Sequence, residues 1–248
     1  MNKYLLFLIS ILAIATSCSD DVINNSCVQY QSNNVELFDS ITTQQSWSKM
    51  TMKQKLTSCQ IPENKLGELS TQELIELCAK HPLNPVCNAY DNPMDGAKVV
   101  MNSFNGFNEL RKRKDAAGKL LDFYEGLDFS AYIKSPYPIT IPGLNGKLYS
   151  GSNITFMELL LASDEISELY EPSNVERMKA ISLRKIHQKF SANDVFGKTS
   201  ISPTLMVQSQ IAIKTSSLNK DDEAKITDFI NNGGNVEDIN SIITTLIK

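Results

Sequence analysis

The side chains of this chain that could do chemistry are few and scattered: five cysteines, two histidines and a loose set of acids. His81 follows Cys78 by three residues, a spacing that puts a thiol and an imidazole on one face of a helix. That is half of a zinc site, but there is no CxxC and no second histidine nearby to complete it. A helix-terminal histidine near free carbonyls is the simpler reading. His187 stands among Arg184, Lys185 and Lys189, a cationic setting that suits a solvated helix flank better than a general base. No Gly-x-Ser-x-Gly elbow marks a nucleophilic serine. Asp91-Asn92-Pro93-Met94-Asp95-Gly96 has the outline of a calcium loop, yet Pro93 stands at the third ligand and Asn102 where a bidentate Glu belongs. No phosphate-cradling glycine loop or dinucleotide fingerprint occurs. Neither a metal nor a cofactor is therefore expected. Asp164, Glu165 and Glu168 remain as acids that could converge in the fold, since an inverting glycosidase needs only two carboxyls about 6.5–9.5 Å apart.

Cys18 has the most specific setting. Met1-Asn2-Lys3 is a short positive start, and Tyr4 to Ala15 is almost wholly apolar. That run has the length of a signal-peptide core and is too short to cross a bilayer comfortably. Small residues then lead into the cysteine: Ala15-Thr16-Ser17-Cys18. A small-residue site admits a signal peptidase, and the thiol at the next position can take a diacylglyceryl group. The pattern resembles the lipobox of bacterial lipoproteins, with Ala15 in place of the commoner Leu; an ordinary secretory signal with a chance cysteine is the alternative. The resemblance implies a signal peptide over residues 1–17 and a lipid-bearing Cys18. Ser19-Asp20-Asp21 resembles the acidic export tag after the cysteine of Bacteroidetes lipoproteins sent to the outer face of the outer membrane. Acyl chains contribute about 0.8 kcal/mol per buried methylene, so several of them anchor a protein without a spanning helix.

With Cys18 acylated, Cys27, Cys59, Cys78 and Cys87 remain, an even number in a disulfide-permissive compartment. Four cysteines allow three pairings. The short separation of Cys78 and Cys87 favours that pair, and buried free thiols are the alternative. The formal net charge of −4 becomes more negative when Lys3 leaves with the signal. No nucleic-acid partner is expected from that balance, and the Arg111-Lys112-Arg113-Lys114 run reads as a solvated helix face.

The elements that position these residues are overwhelmingly helical. Residues 18–45 are rich in Asn, Ser, Gln and Asp and read as a lipidated tether, about 30 Å long as a flexible coil. Within it, Asp39-Ser40-Ile41 resembles the O-glycosylation site of Bacteroidetes secreted proteins, with Ser40 as acceptor. Ser70-Thr71-Gln72-Glu73 is a capping box that opens a helix ending before Pro82. Asn92-Pro93 opens another. Pro136, Pro138, Pro142, Gly143 and Gly146 interrupt the pattern, and Ile139-Thr140-Ile141 can form a strand or hairpin. Helices resume at Ser152 or Asn153, at a second capping box, Ser173-Asn174-Val175-Glu176, and at Ser202-Pro203. A hairpin of helices about Gly233-Gly234 ends the chain.

The expected fold is therefore all-α, a helical bundle or an irregular solenoid of short helices, with a small hairpin around 135–150. Residues 46–127 form an N-terminal helical subdomain, 128–150 a Pro/Gly-rich connector and 151–248 a C-terminal helical subdomain. Leu69 to Leu74 through His81-Pro82, with Phe104 to Leu110 and Arg113 to Ala116, resembles a segment of secreted and lipidated Bacteroidetes proteins of unassigned activity. It covers roughly residues 46–127 and implies lineage and helical fold, not mechanism. The expected function is a non-enzymatic domain on the outer membrane, facing the exterior, that engages a protein or glycan partner. Its rivals are a cell-surface hydrolase and a structural subunit of an envelope assembly.

Overall fold

Helices start where a side chain can satisfy the free amides of a first turn. At Ser70 the hydroxyl accepts from the Glu73 N–H at 3.2 Å, while the Glu73 carboxylate accepts from the Ser70 N–H at 2.8 Å. Thr51 and Gln54 repeat the arrangement, and Ser150 does so with Asn153. Asn92, Asn219 and Asn235 cap three more helices. The computed structural model describes residues 36–129, 140–143, 148–191, 193–215 and 218–247. Cys18, Ser19, Asp20, Asp21 and Cys27 lie outside the described residues.

The order is α1 (Glu36–Thr42), α2 (Met52–Ser58), α3 (Glu63–Leu66), α4 (Thr71–Ala79), α5 (Pro93–Ser103), α6 (Asn105–Leu110) and α7 (Ala116–Gly126). Two 3-10 turns, Trp47–Lys49 and Asn84–Ala89, stand before α2 and α5. A two-stranded antiparallel hairpin follows, β1 (Thr140–Pro142) against β2 (Leu148–Ser150), with Ile141 opposite Tyr149. Then come α8 (Gly151–Ala162), α9 (Asp164–Ser167), α10 (Pro172–Ser191), α11 (Asn193–Thr215), α12 (Lys220–Asn232) and α13 (Val236–Leu246). The fold is all-α, as the periodicity implies, and the hairpin lies inside the interval expected for it.

Two helices make the centre. α8 is buried without a break from Ile154 to Ala162, and α11 from Pro203 to Ala212. A helix enclosed on all sides is a core element and has no polar face to show. α11 packs on α8 and α10, and α8 also packs on α4, α5 and the Asn84–Ala89 turn. The buried apolar residues from Leu37 to Ile247 accordingly form one cluster. Residues 128–150 join two lengths of chain that share a core.

Three local expectations shift. The tether expected to run to residue 45 gives way at Glu36 to α1, because Leu37, Phe38 and Ile41 share one face and are all buried. Ser173 does not cap: Pro172 begins α10 one residue earlier, and the Asn174 side chain accepts from the Glu171 N–H at 3.2 Å. Pro203 does not start a helix but lies inside α11.

Candidate functional site

A cluster of buried charged and hydroxyl groups lies where α7, α8, α10 and α11 meet. Glu158 sits in the middle of the apolar run of α8, fully buried. Its Oε1 accepts from the Tyr124 hydroxyl and the Thr204 hydroxyl, each at 2.8 Å, and its Oε2 accepts from Lys189 Nζ at 2.6 Å. Lys189 also donates to the Ser200 carbonyl at 2.6 Å. Ser200 lies in α11 three residues before Pro203. One turn earlier on α10, Lys185 Nζ donates to the carbonyls of Glu125 and Leu127 at the end of α7, where the helix presents partial negative charge. Both ammonium groups lie over the Phe129 ring, at 4.8 Å for Lys185 and 5.3 Å for Lys189.

Burial sets the proton affinities. Desolvation, and then the neighbouring Arg184, pushes Lys185 down to about 8 against the attraction of Glu158, Asp128 and Glu125. Lys189 is lowered by desolvation, which outweighs its ion pair with Glu158. Tyr124 is raised, first by burial and then by the Glu158 charge beside it. The cluster is hydrogen-bonded and enclosed, so it can tie four elements together.

His81 is the second buried ionisable group. Its Nδ1 accepts from the Leu83 N–H at 3.3 Å, and its ring lies 5.2 Å from Phe38 and 4.6 Å from Phe104. Desolvation pushes it down to about 3. The carbonyls at the end of α4 are taken instead by Asn84, whose amide donates to Cys78 and Ala79 at 3.0 and 2.9 Å. The Cys78–Cys87 bond expected from spacing is not formed in the structure: Cys59, Cys78 and Cys87 are separate buried thiols. Burial raises all three, Cys87 to about 11 and Cys59 to about 12. Asn84 closes this corner by hydrogen bonding.

A shallow cleft of about 390 Å³ opens between the start of α7 and the start of α10, lined by Lys114, Asp115, Lys119, Asp122, Asn174 and Arg177. Arg177 bonds Asp122 at 2.8 Å and Glu125 at 2.6 Å, and Arg184 joins Glu125 at 3.0 Å. The hydrogen bonds from Arg177 and Arg184 hold the Glu125 carboxyl below its ordinary range. Such exposed pairs add little stability.

The other residues singled out by type are dispersed. Asp164 accepts from Gln210 at 3.2 Å, Glu165 pairs with Arg111 at 3.4 Å, and Glu168 is exposed; none of the three lines the described cleft. His187 is exposed on α10. Asn92 is engaged as the α5 cap, accepting from the Met94 N–H at 3.0 Å. Arg113 bonds Glu109 at 2.8 Å. Ser40 lies on the exposed side of α1 and donates to the Leu37 carbonyl at 3.2 Å. Among the described residues no group of three or more His, Cys, Asp or Glu could hold a metal, and no helix is long and apolar enough to cross a membrane.

Reading by residue type passes over Glu158 and takes Lys185 and Lys189 for part of the solvated flank around His187, whereas both are buried. Signals for them exist: Glu158 interrupts Phe156-Met157-Glu158-Leu159-Leu160-Leu161, and Lys185 and Lys189 continue the stripe of Met178 and Ser182 at helical spacing. No family model, curated protein or solved structure matches the chain.

Proposed function

We propose that this chain is a lipoprotein, held in the outer membrane through acylated Cys18 and facing the cell exterior. There its all-α domain engages a protein or glycan partner without catalysing a reaction. The observation that carries the reading is the N-terminal run: Lys3, the apolar stretch to Ala15, Thr16-Ser17-Cys18, then Ser19-Asp20-Asp21. The placement of reactive groups supports the second half. Lys185, Lys189 and His81, the perturbed bases a catalyst would use, are each at most 2% exposed, so a substrate outside the core does not reach them. A binding domain needs a stable scaffold and a surface, and an anchored one gains effective concentration from its tether.

Replacing Cys18 with Ala tests the anchor: the variant should leave the membrane fraction or persist as a longer precursor. A variant that fractionates and migrates like the wild type would remove the central claim. Protease shaving of whole cells tests the orientation, with Asp20→Ala/Asp21→Ala as the control. The wild-type domain should be cut more than the double variant; equal survival puts the domain in the periplasm.

A further inference from the structure

α1 connects the domain to the chain that leads back to Cys18, and it is held by side-chain burial. Among the described residues its hydrogen bonds close within residues 36–44: Thr43 N–H and hydroxyl to Asp39, Ser40 to Leu37, Thr42 to Phe38 and Gln44 to Ser40. Leu37, Phe38 and Ile41 fasten it, each at most 5% exposed. Phe38 sets its ring edge against His81 at 5.2 Å and lies 6.0 Å from Phe104.

His81 beneath it tolerates one protonation state. Nδ1 accepts from the Leu83 N–H, so the proton of the neutral ring is on Nε2. Nε2 is buried and has no partner among the described residues. A second proton would go on Nδ1, where it would face the Leu83 N–H donor head-on, and the cation would sit against Phe38 and Phe104. The charged groups around it do not offset this. Lys80 holds its ammonium over Tyr149 at 5.4 Å, Glu76 accepts from Gln72 at 3.3 Å, and Asp39 is on the exposed side of α1. The thiols of Cys78 and Cys87 are held neutral by burial, and the α5–α6 corner presents Phe104. Burial alone accounts for the lowered proton affinity of His81.

We propose that α1 is an acid-released strap, docked while His81 is neutral and freed when His81 takes up a proton from solvent. The charged ring needs water, and α1 is the covering element that separates by losing apolar contacts, with no hydrogen bond to the rest of the domain to break among the described residues. Release turns about 10 Å of helix into as much as about 24 Å of extended chain, which lengthens the reach of the domain from its N-terminal attachment. The release itself concerns only the docking of α1 and stands apart from the proposed anchor; its effect on reach rests on that anchor.

An exposed imidazole titrates near 6.5, so the ratio of undocked to docked α1 should rise about 30-fold between pH 7.5 and pH 5.0. Hydrogen exchange of the full chain in detergent, corrected for the intrinsic pH dependence of exchange, reads that ratio directly. Protection of the amides of Ser40 to Gln44 should fall about 30-fold, while protection of α8 should be unchanged. In His81→Phe, which keeps an apolar ring that cannot titrate, the α1 amides should be equally protected at both pH values. Phe38→Ala should leave them unprotected at both, with α8 again unaffected. Wild-type α1 protection that changes less than about threefold overturns the proposal. So does an equal loss in α1 and α8, which would mean that His81 is protonated only on global unfolding.

Discussion

Glu158 and Lys189 show how far a single residue's role depends on its partner. An ammonium and a carboxylate in a fully buried setting each lose their hydration, and their mutual attraction offsets that only when the remaining bonding positions are filled. Here Tyr124, Thr204 and the Ser200 carbonyl fill them. Lys189→Met should therefore destabilise the protein by about 3–5 kcal/mol, since it leaves the Glu158 charge buried and unpaired. The double variant Glu158→Gln/Lys189→Met should be distinctly more stable than Lys189→Met alone, because the second change removes that orphaned charge. Urea denaturation of these two variants and of Glu158→Gln alone checks the order. If the losses simply add, the two side chains are not coupled as the 2.6 Å contact implies.

At the scale of elements, the close approach of α5 to the Asn84–Ala89 turn depends on Gly96. A Cβ there would lie 2.6 Å from the Cys87 Cα and 2.8 Å from the Val86 carbonyl oxygen, and backbone cannot yield as a side-chain tip can. Gly96→Ala improves helix propensity by about 1 kcal/mol, yet the overlap should outweigh it, for a net loss of about 1–3 kcal/mol. A thermal midpoint at or above the wild type's would show that the two elements separate freely. Gly233 differs: at φ 71° it turns the chain from α12 into α13 with open space where a Cβ would go, so backbone conformation is what requires it. The helices themselves were legible wherever a start signal and an inward stripe coincided, as at Ser70 and Asn92. Reading failed where one competing force decided the boundary. Three apolar side chains converted the polar stretch around Ser40 into a docked helix. Pro203, which reads as a helix start, is instead carried inside α11, whose buried run from Pro203 to Ala212 continues through it. Which charges would be buried was legible only as an anomaly, since an acid inside an apolar run says nothing of the partner 31 residues away.

For the whole molecule, the Pro/Gly-rich interval around residues 128–150 looks like a seam in the sequence, and the packing runs across it. Buried faces meet from both sides: α7 packs on α10, and α8 on α4, α5 and the Asn84–Ala89 turn. Composition changes where a chain needs a turn, whereas a domain boundary needs two separate cores. Burying one Leu or Phe side chain is worth about 1.5–3 kcal/mol, so a half-dozen lost from either side would match the 5–15 kcal/mol net stability of an ordinary domain. Expressed separately, residues 19–129 and 130–248 should each lack a cooperative unfolding transition and bind a hydrophobic dye. The intact chain from residue 19 should unfold in one step, with far-ultraviolet circular dichroism and near-ultraviolet aromatic signals changing together. A sharp transition from either half alone would mean that the shared cluster is an interface between two independent folds. The central place of α8 argues the other way: its buried face from Ile154 to Ala162 is covered by α11 on one side and by α4 and α5 on the other, and a break at residue 129 strips away the second of these.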